Sequence, residues 1–279
     1  MKTIAVLITV FNRKIETIKC LSNLYSQYLP DDVSFDVFLT NDGCTDGTPE
    51  AVKEQFPNVH IIDGDGTLYW NRGMWTAWNF ASQTKDYDYF LWLNDDTVLA
   101  SNCISTLIDE SSKYDNKAIL VGPTKSSDMK TTTYGGHIGH NIPEPNGENV
   151  KVETFNGNIV LVPQYVFHIL GNLDYRYRHG HGDLDYGYRA GNAGIINIQI
   201  GQHLGLCDRH ERLSNWCNPD VPLKKRLKAL DNPTQYDPKE LFYFENKHCG
   251  FISACFHFIT AYVRCLFPQL WVVLGKAKI

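Results

Sequence analysis

The sequence has no Cys-x-x-Cys pair, no Gly-x-Gly-x-x-Gly after its first apolar run, no long unbroken apolar stretch and no excess of basic charge. Each absence removes a class of function. Its eight cysteines, at 20, 44, 103, 207, 217, 249, 255 and 265, are scattered, which argues against a zinc site of the usual spacing. Several lie within apolar patterns, as buried reduced thiols do, and that fits a reducing, cytoplasmic compartment. Without the glycine fingerprint, a dinucleotide-binding dehydrogenase is set aside. A net charge of −5 leaves no footprint for nucleic acid. Phe251 to Leu274 comes nearest to a membrane span, but His257, Arg264 and Pro268 interrupt it. The opening run from Ile4 to Phe11 is short and stops at Asn12-Arg13-Lys14, so it reads as a first strand and not as a signal peptide.

What remains is an ordinary globular balance: 279 residues, 43% hydrophobic and 20% charged, enough for one large domain or two small ones. The first 122 residues alternate between strand and helix signals. Ile4 to Ile8 is a continuous apolar run suited to a central parallel strand. Ile15, Ile18, Leu21, Leu24, Tyr25 and Tyr28 then form a helical stripe. Val33 to Leu39 alternates as a second strand, Thr48-Pro49-Glu50 opens a helix, and Val59 to Ile62 is a third strand. Met74, Ala77, Trp78 and Ala81 mark the next helix, Tyr89 to Leu93 a fourth strand, Ile104 to Ile108 another helix and Ala118 to Val121 a fifth strand. Ile159 to Val162, Pro163, Asp183 and the alternation Ile196, Ile198, Ile200 continue the mixed pattern after a polar excursion at 123–150. Repeated βα units imply an α/β protein with a mostly parallel central sheet covered by helices on both faces. Ligands on such sheets bind beyond the carboxyl ends of the strands. Three polar motifs fall there: Thr9-Val10-Phe11-Asn12-Arg13, Asn41-Asp42-Gly43 and Asn94-Asp95-Asp96.

Together with Gly182-Asp183-Leu184-Asp185-Tyr186, Gly64 to Met74 and Phe155-Asn156-Gly157-Asn158, these motifs resemble family 2 glycosyltransferases of the GT-A fold, in particular the bacterial rhamnosyltransferase-like branch of surface polysaccharide synthesis. The resemblance covers about residues 1–215, with a nucleotide-sugar-binding half at 1–122 and an acceptor half at 123–215. Residues 216–279 form a helical, aromatic extension. The resemblance implies inverting transfer from a nucleoside-diphosphate sugar to a hydroxyl of a saccharide or lipid-linked acceptor. It also implies a divalent cation, Mg2+ or Mn2+, between the diphosphate and the acidic motif.

Carried over residue by residue, Asp96 is the expected metal ligand, with His210 a candidate second one. A hard cation held by oxygen ligands stabilises charge as the diphosphate departs. Asp95 is expected at the ribose or beside the ion. Asn94 replaces the family's first Asp and removes one charge. Asp183 stands at the catalytic base position, since an acceptor hydroxyl attacks well only as its proton is taken. Asp185, two residues on, points elsewhere on a helix, and with His181 is assigned to the acceptor side. Gly182 replaces a second acid that related enzymes often carry. Thr9, Phe11, Asn12, Arg13, Asn41, Asp42, Trp70 and Arg72 complete the expected nucleotide-sugar site.

Blander readings stand beside these. Asp95, Asp96 or Asp183 could cap helices. Asp42-Gly43 could be a turn, Arg13 a surface cation, Trp70 a core aromatic, and the histidines structural. A sugar nucleotidyltransferase would need a glycine-rich loop after the first strand, and Val10 to Lys14 has no glycine. A catalytically inactive nucleotide-sugar-binding or scaffold protein stays open because of Asn94 and Gly182. The cluster Lys224, Lys225, Arg226 and Lys228, followed by aromatics, suits peripheral contact with the inner face of an anionic membrane, or else a packed helical pair or dimer contact.

Overall fold

A computed structural model describes residues 1–209 and 213–273. They form two compact units, one of residues 1–175 and 182–209, the other of residues 176–181 and the chain from 210 onward.

The first unit is built on an eight-stranded sheet. Its strands are β1 (Lys2–Val10), β2 (Val33–Asn41), β3 (His60–Asp63), β4 (Tyr89–Leu93), β5 (Ile119–Val121), β6 (Val150–Val152), β7 (Ile159–Pro163) and β8 (Asn197–Gln199). They lie in the order β3-β2-β1-β4-β7-β5-β8-β6. β3, β2, β1 and β4 are parallel, as are β5 and β8. β7 runs antiparallel to both β4 and β5, and β6 antiparallel to β8. The apolar run at 159–162 is buried on both sides whichever way it runs, so its composition carries no sign of direction.

Ile4 to Ile8 are fully buried. Alternation along β1 sends Ile4, Val6, Ile8 and Val10 to one face, against α1 (Lys14–Tyr25) and α4 (Cys103–Lys113). Ala5 and Leu7 go to the other, with Phe38, Trp78, Trp92 and Tyr186 under α3 (Tyr69–Thr84) and α6 (Gly182–Asn192). The α1 stripe is narrower than its apolar count suggests. Leu21 and Leu24 are buried, whereas Ile15 is 80% exposed and Tyr28 lies beyond the helix end. α2 (Thr48–Gln55) and α5 (Gln164–Leu170) complete the covering helices.

A small sheet joins Val98–Leu99, Gly205–Leu206 and Thr124–Lys125. It carries the segment after residue 206 back to the end of β4.

The second unit is helical: α7 (Leu223–Leu230), α8 (Pro238–His248), α9 (Phe251–Leu266) and α10 (Pro268–Val273), preceded by a 3-10 turn at Asn215–Cys217. α8 begins cleanly because Asp237 accepts from the amides of Lys239 and Glu240 and Pro238 follows it. Trp216, Cys217, Leu230, Ala261 and Cys265 make its small core.

Candidate active site

The parallel strands β1, β2 and β4 end side by side, and their exits supply the polar groups. After β4 the chain turns tightly, with the Thr97 amide donating to the Asn94 carbonyl at 3.1 Å. The helix that follows begins after Asn102, whose side chain makes no capping hydrogen bond, so neither Asp95 nor Asp96 stands at its N-cap position. Both instead face Arg13, which leads into α1. Arg13 Nη2 donates to Asp96 Oδ2 at 2.8 Å, and Arg13 Nε lies 3.5 Å from Asp95 Oδ2. The Asp95 side chain is buried, and its Oδ2 accepts no hydrogen bond. Burial drives the Asp95 carboxyl up to about 7, Arg13 pulls it down, and the neighbouring Asp96 raises it again.

A chain of contacts runs from this pair to Asp183. Trp70 Nε1 donates to Asn94 Oδ1 at 2.7 Å. The Trp70 ring lies so close to Gly157 that a Cβ there would stand 2.3 Å from it. The Gly157 amide donates to Asp183 Oδ2 at 3.1 Å, and the Leu184 amide to Asp183 Oδ1 at 2.9 Å. Asp183 is the second residue of α6, inside the first turn, and its carboxylate reaches across to another segment. It keeps some exposure while dense protein surrounds it. That burial lifts the Asp183 carboxyl to about 6 despite the two amides, which favour the charged form.

Gly182 has a steric reason. A Cβ at that position would sit 1.7 Å from Asn71 Oδ1, and Asn71 Nδ2 is anchored to the Asp174 carbonyl at 2.9 Å. A glutamate at 182 needs a different residue at 71.

The expected nucleoside segment forms a second cluster. Asn41 donates to Asp63 Oδ1 at 2.8 Å and accepts from the Cys44 amide at 2.9 Å. Asp42 is nearly fully buried. Its oxygens accept from the amides of Gly66, Leu68 and Tyr69 at 2.8–3.1 Å, so it pins the 64–69 loop. Asn12, left-handed at φ 52°, accepts from the Thr45 amide at 2.7 Å and ties the first two strand-end loops together. Thr9 packs on α3, where a Cβ at Gly73 would lie 2.0 Å from its Oγ1. Phe11 is 53% exposed at the rim.

Two of the expected residues are engaged by other groups of the first unit. Arg72 donates to the Tyr175 carbonyl at 3.0 Å and stacks on the Tyr175 ring. Asp185 is fully buried, and Arg189 Nε bonds to it at 2.9 Å, which leaves it no surface for an acceptor. Its place in the fold is that of an internal counter-ion, because Arg189 also ties the carbonyls of Leu170 and Asn172. His181, left-handed at φ 68°, belongs to the second unit, where it stacks on Phe244 and burial lowers its pKa to about 4. His210 lies outside the described residues.

Thiols were not anticipated at the site. Cys207 Sγ is 3.5 Å from Asp96 Oδ1, with its pKa pushed up to about 12 by burial and then by Asp96. Cys20 Sγ contacts the Asn94 carbonyl at 3.5 Å. Both are protonated donors to the acidic turn. The pairing of Leu206 with Val98 brings Cys207 there, and no local pattern announces it.

Among the described residues no three His, Cys, Asp or Glu side chains converge as a ligand set. Two adjacent carboxylates still suit Mg2+ or Mn2+, which are held by few protein oxygens together with substrate phosphates. The buried Asp95 Oδ2 without a hydrogen bond, facing a guanidinium, is a place prepared for positive charge.

With this geometry, the Glycosyl transferase family 2 profile matches residues 5–171. The chain belongs to that family. Over 130 residues this family 2 chain is 29% identical to the teichoic acid poly(glycerol phosphate) polymerase of Staphylococcus epidermidis, a match covering 45% of this chain and 17% of the polymerase. It therefore spans a small part of that relative's length. Similar solved structures include the mannosyltransferase PcManGT from Pyrobaculum calidifontis in complex with GDP-Man and Mn2+. There the TM-score is 0.57 at 14% identity, covering 99% of this chain and 81% of that one. S. aureus TarS 1–349 in complex with UDP gives a TM-score of 0.56 at 13% identity, covering 99% and 89%. These likenesses show the GT-A fold.

Proposed function

We propose that this chain is an inverting glycosyltransferase of the rhamnosyltransferase-like branch. It moves a sugar from a nucleoside-diphosphate sugar to a hydroxyl of a saccharide or lipid-linked acceptor in surface polymer synthesis. The observation that supports this is the path of contacts Asp183–Gly157–Trp70–Asn94–Asp95–Asp96–Arg13, which links one poised carboxylate to one anionic pair. Related proteins bind GDP-Man with Mn2+, and UDP-GlcNAc. They support a donor of this class for the strand ends here.

Asp96, with Asp95, would hold Mg2+ or Mn2+, which supplies charge neutralisation for the leaving diphosphate. Asp183 takes the acceptor's proton as the hydroxyl oxygen attacks the anomeric carbon. Its pKa near 6 leaves it ionised at neutral pH yet basic enough to receive that proton. The amides of Gly157 and Leu184 fix its orientation. Trp70, held edge-on to Trp92 and bonded to Asn94, offers an apolar wall between the two acidic groups. His181 and His210 remain candidates for the acceptor and the cation.

A panel of nucleotide-sugars, read by thermal stabilisation with Mg2+ or Mn2+, tests the donor. Turnover of the stabilising donor by wild type and its loss in Asp183→Asn test the base. Stabilisation without turnover in wild type would mark an inactive binding protein. Unchanged turnover in Asp183→Asn would reject the base assignment.

A further inference from the structure

The longest helix of the second unit leaves one apolar side uncovered. In α9, the residues turned to the unit's core are small: Ala254, Ala261 and Cys265. Tyr262 packs beside them and Phe258 lies against Phe242, but the large apolar residues on the opposite side point away from the core. Ile252 is 85% exposed, Phe256 62% and Ile259 61%, and Leu266 and, beyond Pro268, Leu270 continue the line. At the helical repeat, 252, 256, 259 and 266 form one stripe opposite the packed face. From Phe251 to Val263 the sequence has no Asp, Glu, Lys or Arg. α9 has 16 residues, so the stripe is roughly 24 Å long. An apolar strip of that length on a surface marks a contact site.

Charge says what contacts it. The residues of this unit hold twelve Lys and Arg against six Asp and Glu, a net +6, whereas the whole chain is −5, leaving −11 on the first unit. Three of the six acids are drawn inward: Asp237 and Glu240 by Arg178, and Glu245 by His257. Lys224, Lys225 and Lys228 on α7 are exposed. α7 is fastened to the end of α9, since Arg226 donates to the carbonyls of Cys265 and Leu266. Lysines therefore stand beside the Leu266 end of the stripe, and Leu223 and Leu227, both exposed, flank them.

We infer that the α9–α10 stripe with the α7 lysines is a docking surface for an anionic lipid bilayer, along which α9 lies in the headgroup plane. No described helix is long and apolar enough to cross a membrane, so the pattern is that of an interfacial helix. A second copy of the chain is a poorer occupant, because pairing two such faces sets like charges together. The inference goes beyond the donor chemistry and does not depend on it.

The test is flotation of the full chain with vesicles of phosphatidylcholine alone or with about one third phosphatidylglycerol, at low and high salt. Wild type is expected to float with the anionic vesicles and to be released by salt. The triple variant Lys224→Gln, Lys225→Gln, Lys228→Gln should lose roughly 100-fold in affinity for them. Ile252→Ser, Phe256→Ser and Ile259→Ser should each lose roughly tenfold. These side chains are exposed, and an unchanged Tm in each variant shows that the fold is kept. Failure of wild type to float with anionic vesicles overturns the inference. So does a wild-type dimer in solution that Phe256→Ser and Ile259→Ser convert to monomer without changing flotation. Either result leaves the donor assay untouched, so it is separable from failure of the proposed activity.

Discussion

Without the Arg13 guanidinium, Asp95 would lie buried beside Asp96 with no positive charge at 3.5 Å. Removing one partner of such a pair is costly because the other charge is left uncompensated. Arg13 is about one third exposed, so solvent softens the loss. Arg13→Gln should destabilise the cation-free chain by about 1–2 kcal/mol. Mn2+ should then raise its Tm more than that of wild type, since the ion no longer displaces a guanidinium. An equal or smaller Mn2+ shift would mean that Arg13 holds the carboxylates ready for the ion. Asp183→Asn should lower transfer by ~10²–10⁴-fold and leave donor binding intact. The wild-type rate should fall as pH drops below about 6, where Asp183 gains its proton. The sign for stability is opposite. A carboxyl whose pKa is about 6 folded, against about 3.9 unfolded, favours the fold when protonated. That advantage is present below pH ~4 and is lost as pH rises through 6. Asp183→Asn should therefore match wild type in Tm at pH 4 and exceed it at pH 7.5. A Tm loss at pH 7.5 would show that the carboxylate's amide bonds outweigh its burial.

At the scale of elements, one glycine decides how close Trp70 and Asp183 come. Gly157 receives the ring edge of Trp70, and its amide holds Asp183. Gly157→Ala should push Trp70 off Asn94, cost about 1–3 kcal/mol and weaken donor and transfer together. Intact donor affinity in a stable Gly157→Ala chain would remove Trp70 from the donor wall. Asp42 shows why strand ends were legible and their roles were not. Continuous apolar runs at 4–8 and 89–93 announce buried strands, and the polar residues that follow must lie at the ends. Whether a carboxylate there faces a ligand or the next loop depends on where Gly66, Leu68 and Tyr69 fold back, twenty-odd residues later. The same distance dependence hid Cys207 beside Asp96, the Asn71 contact that requires Gly182, and the burial of Asp185 against Arg189. The direction of β7 was likewise unreadable, because a strand buried on both faces has the same composition either way.

The whole chain presents opposite charges on its two units, and the net −5 conceals this because the terms cancel. Such a division concerns where the molecule resides more than what it catalyses. Acidic surface on the first unit is repelled by an anionic bilayer, while the second unit is attracted and carries the apolar stripe. Attraction of that kind acts over about a Debye length and fades with salt. If the acceptor is lipid-linked, docking raises its local concentration without touching the chemistry. Phe256→Ser with Ile259→Ser should therefore leave the slow hydrolysis of a soluble nucleotide-sugar at the wild-type rate. With acceptor presented on anionic vesicles, the same variant should slow roughly in proportion to its lost binding, at least about tenfold. Raising salt should bring wild type down toward the variant on vesicles and change neither in solution. Equal slowing of hydrolysis and vesicle-borne transfer would place the two residues in the catalytic fold and remove the stripe from membrane attachment.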